Sequence, residues 1–178
     1  MKKKTAFRYT SVLRILLALA LSVLIGLSLD SYERNDWDSI AGNEHGLWFG
    51  IWNTHVENSC GIAGSAFSEL LIGLLGPVAA WFPPLWLALF GCAAVWKSLA
   101  SRFAKWSAIV SVTMILIATI ASYTADSHAN SVIRGGLVGT LLNDGGIQLA
   151  GRTGLGIVLI VCVVLIPLYA ASDVIRRV

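Results

Sequence analysis

Four apolar runs of roughly twenty residues dictate what this chain can fold into, since each is long enough to cross a hydrocarbon core of about 30 Å as a helix. They cover residues 11–29 (SVLRILLALALSVLIGLSL), 78–96 (VAAWFPPLWLALFGCAAVW), 106–123 (WSAIVSVTMILIATIASY) and 155–171 (LGIVLIVCVVLIPLYAA). Lipid offers no water to backbone N–H and C=O groups, so each run has to be helical. Arg14 lies near enough to the end of its run to snorkel. Pro83, Pro84 and Pro167 are tolerable because neighbouring helices and waters can re-satisfy the freed carbonyls. The expected fold is all-α and integral to a membrane. Composition agrees: 56% of the residues are hydrophobic and 13% charged, against about 25% charged in a soluble domain. That excludes a disordered protein, a nucleic-acid-binding tail and an ordinary soluble enzyme.

Four spans place both termini on one side, and the basic residues say which. Lys2, Lys3, Lys4, Arg8, Arg14, Lys97, Arg102, Lys105, Arg176 and Arg177 fall together, while Arg34, Arg134 and Arg152 fall opposite with every acid except Asp173. The positive-inside rule then makes both termini cytoplasmic and turns the two longer loops outward. The start MKKKTAFRYT followed by an apolar run has the look of a signal peptide, but GLSLDSYE lacks a small-x-small cleavage site. We read it as an uncleaved first span.

Two stretches before the second and fourth spans are too apolar for plain loops. GIAGSAFSELLIGLLG (residues 61–76) and GLVGTLLNDGGIQLAG (residues 136–151) align at an offset of 75 with five identities in sixteen positions. Gly61 meets Gly136, Gly64 meets Gly139, Gly76 meets Gly151, Ile72 meets Ile147 and Leu74 meets Leu149; Ser65 faces Thr140 and Glu69 faces Asp144. This predicts a two-fold parallel repeat of span, outer loop, short amphipathic helix and span. The short helices are expected over 61–76 and 136–142, with Asn143-Asp144-Gly145-Gly146 turning the chain. Small residues at Gly61, Gly64, Gly136 and Gly139 let helix backbones approach closely, either inside the chain or between copies of it.

The remaining polar residues give little chemistry. Glu69 is the acid deepest in apolar sequence, and an intramembrane ionisable group is a candidate proton or ion site. It nonetheless precedes the second span by about nine residues, at the level of the headgroups. Its partner Asp144 is placed equivalently, which favours a structural role for this pair of outer-face acids. His55-x-Glu57 supplies two potential ligands where zinc wants three or four, and His45 and His128 fit solvated loops. The run Leu47-Trp48-Phe49-x-Ile51-Trp52, with Trp37, fits an interfacial segment. Cys60, Cys92 and Cys162 are odd in number, two of them in apolar runs, so they form neither a disulfide framework nor a zinc site. No GxxxxGK[ST], HExxH, GxSxG or CxxC occurs. No catalytic, cofactor-binding or metal residue is expected, and the segment Lys97 to Lys105 is expected to be a short cytoplasmic loop.

From Gly61 to Pro83 the sequence resembles the N-terminal four-span membrane region of the FtsK/SpoIIIE DNA translocases. That family shows a pattern close to G-G-x-x-G-A-x-L-A-D-x-L-F, then F-G-x-x-A-Y-x-x-P. Here it reads Cys60-Gly61-x-x-Gly64-Ser65-x-Phe67-Ser68-Glu69-x-Leu71-Ile72, then Leu75-Gly76-x-x-Ala79-Ala80-x-x-Pro83. A second motif, G-G-x-x-G-x-L-L, stands intact as Gly135-Gly136-x-x-Gly139-x-Leu141-Leu142, and S-Y-x-x-x-D matches Ser31, Tyr32 and Asp36. Cys60 for glycine, Glu69 for aspartate and Ala80 for tyrosine depart from the pattern. The resemblance implies a bacterial inner-membrane domain that anchors and oligomerises a motor at the division septum and meets other division proteins. It would reach DNA only through an ATPase motor whose residues are not among these 178. The expected helix-packing or oligomer contacts are then Gly61, Gly64, Gly76, Gly135, Gly136, Gly139 and Gly151. The rival reading is a stand-alone four-span channel, small-solute transporter or interaction subunit. A transporter needs polar residues lining a span, and the third offers few, Ser107, Ser111, Thr113 and Thr119 among them, none ionisable.

Overall fold

A computed structural model describes residues 2–47, 50–51, 54–93, 97–125 and 127–175. The aromatic run at Trp48, Phe49 and Trp52, the end of the second apolar run at Trp96, and Arg176 and Arg177 lie outside the described residues. Among the described residues there is no strand. The helices are α1 (Lys2–Asp30), α2 (Arg34–Ala41), α3 (Gly61–Leu75), α4 (Phe82–Ala93, entered through a 3-10 turn at Ala79–Trp81), α5 (Lys97–Tyr123) and α6 (His128–Ile175). Among the described residues three stretches are long and apolar enough to cross a membrane: Val12–Asp30, Phe103–Tyr123 and a length within His128–Ala171. The second run gives a shorter apolar helix, Ala79–Gly91. Pro83 and Pro84 occupy the first turn of α4, where a proline forfeits no helical hydrogen bond.

Three expectations are corrected. The segment expected as a loop over Lys97 to Lys105 is the first part of α5, because it carries helix formers such as Lys97, Leu99, Ala100, Arg102 and Ala104 and no breaker. The turn expected at Asn143 to Gly146 is helical, so the second short helix does not stop at residue 142. Glycine costs a helix interior about 1 kcal/mol, but packing uses the space left by Gly146: a Cβ there would lie 2.7 Å from a Leu155 methyl. The chain instead breaks at Gly136 and Gly151, whose backbones are non-helical within α6.

Those breaks occur at left-handed glycines. Gly61 and Gly136 have φ of 64° and 63°, and Gly76 and Gly151 have 80° and 71°. All four are positions where a side chain would be strained, and they are two of the three glycine pairs matched at the 75-residue offset.

The chain divides into two compact units, residues 1–71 with 83–103, and residues 72–82 with 104–178. Helix α3 therefore begins in the first and ends in the second. In the first unit α1 meets α4 through Ser22, whose hydroxyl donates to the Pro84 carbonyl at 2.6 Å. A Cβ on Gly91 would stand 3.3 Å from the Ala18 methyl, and Trp86, Phe90 and Phe103 form an aromatic cluster with centroids 5.4–5.9 Å apart. In the second unit α5 meets α6 at Ala118, whose carbonyl oxygen faces Gly135 and Gly139, and Ala118, Leu155 and Leu159 are buried.

Burial is inverted relative to a water-soluble domain. Ser28, Ser65, Ser68, Ser122, Ser131, Thr140 and Asn143 are buried, while Leu13, Leu17, Phe67, Leu70, Leu141, Ile160 and Leu168 are exposed. Continuous exposed apolar surface of this kind is unfavourable in water and ordinary against lipid. The molecule is a membrane protein.

Candidate functional site

Each unit buries a polar cluster where its α1 or α5 helix ends. In the first, the Ser28 hydroxyl donates to the Gly64 carbonyl at 2.6 Å, and Ser68 donates to the same carbonyl at 2.7 Å. Gly64 permits this approach; a Cβ there would collide with the side chains of Asn58 and Cys60. Asn58 closes the cluster. Its amide donates to the carbonyls of Ser28 (2.8 Å) and Ser31 (3.3 Å), and its own oxygen accepts the Cys60 N–H. These groups satisfy C=O positions that α1 leaves open at its C-terminus.

Asp36, only 6% exposed, accepts the backbone N–H groups of Glu57 and Asn58 at 3.2 and 3.0 Å. It pins the returning chain against the start of α2, and the Ser31 hydroxyl accepts the Ser59 N–H beside it. The Tyr32 hydroxyl donates to Glu69 Oε2 at 2.5 Å. Burial first, then the hydrogen bond and the charge of Glu69, hold the Tyr32 phenol above the usual tyrosine range. Glu69 is thus already engaged by a neutral donor, which is how a structural carboxylate is held.

The second cluster repeats the theme with different residues. Ser122 on α5 bonds Ser131, and both reach Thr140 (3.4 and 3.3 Å), whose hydroxyl donates to the Gly136 carbonyl at 2.9 Å. Gly135 and Gly139 bring the backbones together: a Cβ on either would lie 2.5 or 2.3 Å from the Ala118 carbonyl oxygen. Gly136 packs against the backbone of Leu74, Leu75 and Gly76, and Gly76 against Arg134 and Gly135. Five of the seven glycines expected as helix-packing or oligomer contacts are packed inside the chain. Gly61 and Gly151 have open space around them.

The two acids differ in their partners. Asp144 lies 3.7 Å from His128 Nδ1 and 3.5 Å from the Asn143 amide, both beyond good hydrogen-bond length. Tyr123 donates to the Arg152 carbonyl at 3.2 Å, and the Arg152 guanidinium stands 5.6 Å from its ring centroid. Asn143 Oδ1 is buried with no hydrogen-bond partner among the described residues, as is Ser65 Oγ. Among the described residues no three His, Cys, Asp or Glu gather as metal ligands, and His55 and Glu57 do not form such a group.

The helix-end hydroxyls, the buried Asp36 and the glycine-backed approaches make a packing and anchoring device, with no nucleophile–base pair in it. Residues 8–175 match the family described as the 4TM region of DNA translocase FtsK/SpoIIIE. The chain belongs to the FtsK/SpoIIIE family. The match covers the membrane region of those translocases and not their motor. No curated protein and no solved structure matches the chain.

Sequence reasoning found the glycines, Glu69 and Asp144, and the FtsK/SpoIIIE motif at Ser31, Tyr32 and Asp36. It missed Ser28, Asn58, Ser122, Ser131, Thr140 and Asn143 as cluster members. Their signal was faint: Ser28 lies four residues before Tyr32 and Ser122 directly before Tyr123, each at the end of an apolar run.

Proposed function

We propose that this chain is the membrane anchor of a bacterial DNA translocase serving chromosome segregation and cell division. The match over residues 8–175 carries the reading. In it, four spans cross the inner membrane, both termini are cytoplasmic, and the anchor gathers motors at the septum by self-association and by contact with other division proteins. Confinement to the membrane raises the local motor concentration with no new contact. DNA is handled only by a motor that is not part of these residues.

The four-span parallel repeat is supported by the paired φ values of Gly61 with Gly136 and Gly76 with Gly151. The same offset pairs buried Gly64, Ser65 and Ser68 with buried Gly139, Thr140 and Asn143. The surface offered to a second copy is the exposed apolar one, including Leu70, Leu141 and Leu149. A transporter is disfavoured because Thr113 and Thr119 donate to carbonyls of their own helix, Ile109 and Ile115.

Alkaline phosphatase fused after residue 45 or 128 should be active, and after residue 100 or 178 inactive; the converse pattern rejects the topology. A fluorescent fusion should collect at septa in dividing cells. Even distribution around the membrane would reject the anchoring role while leaving the topology standing.

A further inference from the structure

The second unit holds a polar cavity of about 200 Å³ where α5 ends, lined by Ser127, His128, Asn143, Asp144 and Arg152 around Tyr123. Tyr123 also borders a neighbouring apolar groove of about 390 Å³ that follows α5 and α6 along Ile120, Gly156, Leu159 and Val163. Gly156 is required for the junction, because a Cβ there would lie 2.7 Å from the Tyr123 hydroxyl. A polar pocket and an apolar groove that share Tyr123, at the end of a membrane-spanning helix, together have the form of an amphiphile.

The polar groups specify the headgroup. Asn143, only 7% exposed, lines this cavity, and its buried Oδ1 has no partner among the described residues. Such an oxygen needs an N–H or O–H donor, since leaving it unpaired costs about 1–3 kcal/mol. Asp144 beside it adds a negative charge, with only the long contacts to His128 and Asn143. Arg152, exposed and laid over the Tyr123 ring, supplies a cation to the same cavity. The complement is a ligand carrying an N–H-bearing cation and, a few atoms away, an anion.

We propose that this cavity and groove bind one phospholipid with an ethanolamine headgroup. The ammonium meets Asn143 Oδ1 and Asp144, the phosphate meets Arg152, and an acyl chain lies in the groove. A choline headgroup brings the same charges without an N–H, and a glycerol headgroup brings no cation. The inference rests on the chain being in a membrane and is independent of any role in DNA movement.

The test is competition on the full chain purified in detergent. An equimolar mixture of chain-matched phosphatidylethanolamine and phosphatidylcholine is offered, and bound lipids are counted by native mass spectrometry. Lipids that merely coat the surface bind without regard to headgroup. The wild-type chain should prefer ethanolamine by about tenfold, the worth of one charge-assisted hydrogen bond. Asp144→Asn and Asn143→Leu should bring the ratio close to one. Arg152→Gln should lower retention of both lipids and keep the ratio. Equal retention by the wild-type chain overturns the proposal. So does a preference that survives Asp144→Asn, or displacement of ethanolamine by phosphatidylglycerol. Asp144 is 45% exposed, so its variant carries the test even where Asn143→Leu does not fold.

Discussion

The two polar clusters solve one problem in two ways. Both join a helix end to a glycine-bearing helix, and both bury hydroxyls that lipid could not satisfy. In the first unit Asn58 occupies the centre and engages the carbonyls of Ser28 and Ser31, while Tyr32 closes on Glu69. In the second, Ile133 stands at the position that matches Asn58. The hydroxyls of Ser122, Ser131 and Thr140 bond one another, Tyr123 turns to the Arg152 carbonyl, and a cavity stays open beside Asn143. The first cluster is thus closed by Asn58, Tyr32 and Glu69, and the second leaves a cavity beside Asn143.

The largest test of the contrast lies at the glycines. Gly136→Ala combines a φ of 63° with collision against the backbone of Leu74 to Gly76. It should destabilise by about 3 kcal/mol or more, read as a lowered unfolding midpoint in detergent. Gly139→Ala meets the rigid Ala118 backbone, whereas Gly64→Ala meets the side chains of Asn58 and Cys60. The first should cost about 2–3 kcal/mol and the second about half that; equal losses would break the comparison.

Asparagine separates the units next. Asn58→Leu removes the donors to two helix-end carbonyls and should cost about 1–3 kcal/mol. Asn143→Leu removes an oxygen that already lacks a partner. In lipid-free detergent it should therefore raise stability, by about 1 kcal/mol, rather than lower it. Smaller still is the tyrosine pair. Tyr32→Phe loses the bond to Glu69 and should cost about 1 kcal/mol, with Tyr123→Phe costing less because its bond is longer and exposed.

The smallest effect is on pH. The Tyr32 phenol is held above its unfolded value of about 10. Its contribution is complete below that value and fades as pH rises toward the folded one. Wild-type stability should therefore fall more steeply above pH 10 than that of Tyr32→Phe, and matching slopes would remove the pairing from the account.

Much of this was legible in sequence because membranes impose simple rules. Run length located the three long apolar helices, and glycine spacing marked residues 61, 76, 136 and 151, where the backbone takes a positive φ that the spacing did not foretell. The reading failed where tertiary contact outweighed local preference. Asn143-Asp144-Gly145-Gly146 has the composition of a turn, yet Leu155 fills the space that Gly146 leaves. The hydroxyl clusters were invisible for a related reason. A serine in an apolar run reads the same whether it bonds its own helix, as Thr113 does, or a neighbour 36 residues away, as Ser28 does.

The chain alternates between its two units, passing to the second at residue 72, back to the first at 83 and over again at 104. No single cut in the polypeptide releases both units whole. A break after residue 103 would leave residues 72–82 joined to the wrong fragment, where Gly76 lacks the backbone of Arg134 and Gly135. Three covalent crossings of the chain, at 71–72, 82–83 and 103–104, tie the two units together.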